Sequence, residues 1–214
     1  MSSTPGRPQA PDHSWQRWAV SSSLLDALAD EVCGVDDLVA LTGADTPGWV
    51  NQLASPPHWR QVDLSGSERV IVAPARTLVW GPSSDEGWDG VDTVEVYAYT
   101  GLPSFGDVLE STARSLRDLD AQGVRTRMLA MPAIPGVAAE RSAGLVAVDG
   151  RRIWIQLTNY IAGSNHPHAG LLIVHTLYVA ERVRQELATD IAVLTGTVQE
   201  TFIVLATAGH VGGV

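Results

Sequence analysis

The chain has 214 residues, 45% of them apolar and 18% charged, which suits a folded domain with an extension and excludes a disordered or collagen-like polymer. Against 24 acidic residues stand 14 basic ones, and the net charge of −10 has the wrong sign for nucleic acid or an anionic membrane surface. The only cysteine, Cys33, allows no internal disulfide, and because all 14 basic residues are arginine, chemistry that needs a lysine is absent.

Residues 1–13 are rich in Pro, Ser and Gly and read as a disordered tail. They lack the apolar run of a secretory signal, so a cytoplasmic protein is expected. Residues 14–55 read as an N-terminal helical segment. In it Trp15, Trp18, Leu24, Leu25, Leu28, Val32, Leu38, Val39 and Leu41 recur at steps near three and four. Gly34 divides this run into two short helices, and a turn-rich stretch from Gly43 to Pro57 follows.

From Trp59 the pattern is β. Val70–Ala73 and Arg76–Trp80 are short β-prone runs, and a loop covers 81–90. Val94, Val96 and Ala98 then alternate with Glu95, Tyr97 and Tyr99, the period of a half-buried strand. Ser104 to Gln122 predicts a helix with a capping box at Ser104 and Asp107 and a buried stripe of Leu109, Thr112, Ala113, Leu116 and Leu119. Gly123 is placed to end it in a left-handed conformation. Strands are expected over Thr126–Ala133, Ala138–Val148, Arg151–Ile161 and Leu171–Val179. Asp149-Gly150 marks a two-residue hairpin between the second and third of these. Val183, Leu187, Ile191, Leu194 and Val198 predict a closing helix, and residues 207–214 a flexible tail. The apolar run from Ile191 to Ala208 contains Gln199 and Glu200, so no membrane span is expected. The sum is α+β: an antiparallel sheet flanked by helices, with an N-terminal helical extension.

Catalytic signatures are thin. His166, His168 and His175 form the densest nitrogen cluster, but His-Pro-His is no metal spacing. Asp85, Glu86, Asp89 and Asp92 suit a solvated loop as well as a cation site. No G-x-S-x-G elbow and no phosphate loop are present. Aromatic side chains carry more information, with 7 tryptophans against 2 phenylalanines. Tyr97, Tyr99, Trp154 and Tyr160 fall opposite the aliphatic face of their strands and, with Trp88, are the candidate binding residues.

Pro56-Pro-His-Trp59, the helix after Ser104, the stretch Ile134–Gln156 running into a β-meander, and the final helix together resemble the PsbP-like α/β/α sandwich, in particular the actinobacterial LpqN/LpqT-type domains, over about residues 56–206. The resemblance implies a binding or accessory protein, chaperone-like in character, linked to secretion or cell-envelope processes. It implies no catalytic residues. The chain departs from it in having no leader, no lipidated cysteine and an extra N-terminal segment.

The expected function is therefore non-enzymatic: engagement of a protein partner, without cofactor, metal or nucleic acid. An exposed sheet face or edge suits a homodimer. Two alternatives stay open. One is a small-molecule or lipid binder with a cavity between sheet and helix, lined by Trp154, Tyr97, Tyr99 and Leu177. The other is a hydrolase or metal enzyme centred on His166, His168, His175 and the acidic loop.

Overall fold

The computed structural model describes residues 25, 28, 34–63, 74–82, 88–103, 105–148 and 150–211. The expected tail at 1–13, most of the N-terminal helical run, the strand at 70–73, Cys33, Asp85, Glu86 and the cap at Ser104 lie outside them.

Among the described residues eight antiparallel strands make one sheet. They are β1 (Val35–Ala40), β2 (Arg60–Gln61), β3 (Arg76–Trp80), β4 (Gly90–Gly101), β5 (Gln122–Met128), β6 (Val137–Val148), β7 (Arg151–Ala162) and β8 (Gly170–Ala180). Their order is β2-β3-β4-β8-β7-β6-β5. β3 and β1 share one edge of β4, pairing with residues 90–94 and 97–101 respectively. The β6–β7 hairpin forms where Asp149-Gly150 places it: Val148 pairs with Arg151, and Gly150 adopts a φ of 78°.

Helix α1 (Phe105–Asp118) packs on one face of the sheet and helix α2 (Ala188–Val211) on the other. Ala113 and Leu116 of α1 are buried, within the expected stripe. After α1 the left-handed residue is Asp120 (φ 54°), whose short polar side chain tolerates that conformation. Gly123, expected in that role, has a φ of 63° at a register shift in β5. α2 buries Leu194, Val198 and Phe202 completely and runs to Val211, through part of the expected tail.

One element differs in kind. Residues 35–40 are strand, not helix, and they join the sheet. The helical spacing of Leu38, Val39 and Leu41 coincides with a strand that carries a bulge between Asp36 and Val39, with Asp37 at φ 55°. A bulge shifts side chains off strict alternation, so the sequence loses its period of two. The positive φ of Gly34 and a tight fit at Gly101 fix the start of β1. A Cβ on Gly101 would lie 2.1 Å from the Gly34 carbonyl oxygen.

Candidate functional site

Pairing register divides the side chains between the two faces. Arg76, Asp92, His175, Gln156, Thr158, Tyr160 and Arg141 lie on the α2 face. They form a polar band across a sheet whose surroundings are aliphatic. Asp92 is fully enclosed and holds two partners: Arg76 Nη2 donates to Oδ2 at 3.0 Å, and His175 Nε2 lies 2.6 Å from Oδ1. Arg76 Nη1 donates to the Leu53 carbonyl at 3.1 Å and ties the turn before β2 to the sheet. Farther along, Arg141 Nε donates to Thr158 Oγ1 at 3.1 Å and Nη2 to the Tyr160 hydroxyl at 3.4 Å. A His–Asp pair has the parts of a general base and its orienter. Here His175 is 1% exposed and Asp92 0%, so substrate cannot reach the pair. With Arg76 it makes a buried polar cluster that ties together three strands, β3, β4 and β8.

The five candidate aromatics do not share a surface. Tyr97, Tyr99 and Trp88 are buried on the α1 face, and Trp154 and Tyr160 on the α2 face. Tyr99 packs over Gly170, where a Cβ would lie 2.6 Å from its ring. Burial pushes the Tyr99 hydroxyl well above its usual range. Tyr97 donates to Glu95 Oε2 at 2.6 Å, and burial raises both groups. The Tyr160 ring stands 5.3 Å from Phe202, and its hydroxyl is raised by burial against the opposing pull of Arg141. Trp154 lies under the Arg184 guanidinium, 4.4 Å from its ring centre. A cavity lined jointly by Trp154, Leu177, Tyr97 and Tyr99 would have to pass through the sheet.

The histidines also separate. His166 and His168 are exposed in the β7–β8 loop, where the His168 amide donates to Thr100 Oγ1 at 2.9 Å. His175 sits five residues into β8, roughly 15 Å along a strand from Gly170. Asp89 precedes β4 and pairs with Arg151 at 3.4 Å and with Arg182. Among the described residues no three His, Cys, Asp or Glu side chains are grouped to hold a metal.

Two accessible features were not found from the sequence. The first is an open cleft of about 450 Å³ lined by His58, Trp80, Gly81, Glu186, Leu187 and Asp190. Its Asp190 is fixed by the Trp59 indole N–H, which donates to Oδ2 at 3.0 Å. These residues are 132 positions apart at the extremes, and no local pattern joins them. The second is the outer edge of β5, where six of seven residues are exposed. Its Arg-x-Arg alternation was the available signal.

No family model matches the chain, and no curated protein matches it. Among solved structures it is similar to LpqN of Mycobacterium tuberculosis, described as involved in cell envelope biogenesis, with a TM-score of 0.53 and 12% identity over 75% of this chain and 87% of that one. The expected cytoplasmic location is not supported: the fold is shared with a protein described as involved in cell envelope biogenesis. The expected lack of a membrane span is not confirmed: among the described residues Ala188–Gly209 is long and apolar enough to cross a membrane by length and composition alone. The α+β sheet with a helix on each face is an LpqN-like fold.

Proposed function

We propose that this chain is a non-catalytic accessory protein of the cell envelope that works by engaging a protein partner. The observation that carries this reading is the contrast between what is sealed and what is open. Among the described residues the one pairing with acid–base geometry, His175 with Asp92, is enclosed on the α2 face. The surface offers recognition chemistry: an aromatic and acidic cleft, and an exposed strand edge. The structural relative's part in envelope biogenesis supports the location.

A small apolar ligand between sheet and helix is the weaker alternative. That space beneath α2 is filled by Leu194, Val198 and Phe202, each 0% exposed, packed against strand residues that include Val96, Ile173 and Leu177.

The test is native mass spectrometry of tagged protein isolated from envelope fractions of its own cells. A stoichiometric complex with a second polypeptide is expected. A bare monomer recovered from the cytosolic fraction would overturn the proposal.

A further inference from the structure

β5 is the terminal strand of the sheet, and among the described residues no strand pairs with its outer side. Its pattern leaves Gln122, Gly123, Arg125, Thr126, Arg127 and Met128 exposed. An edge of this kind presents unpaired N–H and C=O groups, a template for an added strand.

The charge at this edge runs against that of the whole chain. Arg125 and Arg127 project from the same face of β5, and Arg127 pairs in register with Arg141 on β6. Like charges directly opposite each other destabilise a ladder. Arg141 is itself buried, at 8% exposure, and its hydrogen bonds go to neutral hydroxyls. No ion pair joins any of these three arginines to a carboxylate among the described residues. A chain of net charge −10 thus holds two exposed arginines on the β5 edge and a buried third beside them on β6, none of them ion-paired among the described residues.

We propose that β5 docks an extended acidic segment of a partner protein, which adds a strand to the sheet and sets carboxylates at alternate positions against Arg125 and Arg127. The opposite face of that strand would meet Val124, Thr126 and Met128, which suits β-branched or apolar residues. A second copy of this chain fits poorly: antiparallel pairing of two β5 strands about Thr126 would set Arg125 of each against Arg127 of the other. The proposal rests on the protein-partner reading above and names the surface and the chemistry of the partner.

The probe is the blocked heptapeptide Thr-Glu-Val-Glu-Val-Glu-Thr, compared with its Glu-to-Gln counterpart by fluorescence anisotropy on the full chain. At about 50 mM salt the acidic peptide should bind at least about tenfold tighter, and the preference should shrink toward about 0.5 M salt. Hydrogen exchange should slow at 122–128. The double variant Arg125→Glu, Arg127→Glu, checked for an unchanged circular dichroism spectrum and melting temperature, should lose the preference; Arg125→Gln, Arg127→Gln should show a partial loss. Equal binding of the two peptides, slowed exchange confined to other strands, or self-association through β5 would overturn the edge assignment. A native complex that survives the charge reversal would also overturn the assignment while leaving the binding reading intact. Absence of any native complex would remove the reading itself.

Discussion

Asp92 is where sequence and fold meet most sharply. In the sequence it belongs to a run of acids that suits a solvated loop; in the fold it is a fully buried strand residue between Arg76 and His175. Nothing local in the sequence separates the two, because its partners arrive from 16 and 83 positions away. Removing one member of a buried charged pair leaves the other uncompensated, at a cost of about 3–5 kcal/mol. Asp92→Ala is therefore expected to destabilise the protein by about that amount, read as a lower urea midpoint at neutral pH. Glu95 makes the opposite case. Burial holds its carboxyl above the ordinary 4.5, so above that pH the folded chain retains a proton the unfolded chain releases. Stability from this group is lost as pH rises from about 4.5 through the raised folded value. Glu95→Gln keeps an acceptor for the Tyr97 hydroxyl and removes the ionisation. Its melting temperature should exceed that of the parent at pH 7, and the two should converge below pH ~4. A constant gap across that range would contradict the burial argument.

Elements with their own punctuation were legible from the residues alone. The Asp149-Gly150 turn, the alternation along β4 and the aliphatic stripe of α2 all depend on neighbours in the chain. β1 was not legible, because its pairing to β4 is non-local and its bulge erases the strand period. The division of aromatics between faces failed for a related reason. β4 and β7 are covered on both sides, so polar and apolar faces no longer alternate and period two cannot say which helix a side chain meets. α2 poses the next question: it has the length and composition of a membrane span but a fully buried inner face. Two substitutions separate a core helix from a span. Phe202 is 0% exposed beside Tyr160, and Phe202→Ala should cost about 3–5 kcal/mol in chemical denaturation. Val204 is 66% exposed, and Val204→Asn should change stability by no more than about 0.5 kcal/mol. A helix that leaves the sheet to cross a bilayer would show no such contrast.

At the scale of the whole molecule, the proposed envelope location and an apolar helix α2 suggest a membrane anchor, but the packing assigns the helix another task. α2 covers Leu78, Val94, Val96, Ile173, Leu177 and Val179 and roofs the Arg76–Asp92–His175 cluster. Lifting it off would expose a broad aliphatic surface and open a buried ion-pair network to water, a cost that insertion of the helix into lipid would have to exceed. A detachable anchor leaves a domain that folds without it. A structural layer does not, because sheets are stable only when their apolar faces are covered. A chain ending at residue 187 decides between them. It is expected to lose its cooperative thermal transition and its dispersed amide resonances, since one face of the sheet would then lack a partner. A truncated chain that melts cooperatively near the parent temperature would mean that α2 is separable from the fold. Its apolar outer positions, Val193 and Val204, would then belong to a membrane segment rather than to the exposed side of a core helix.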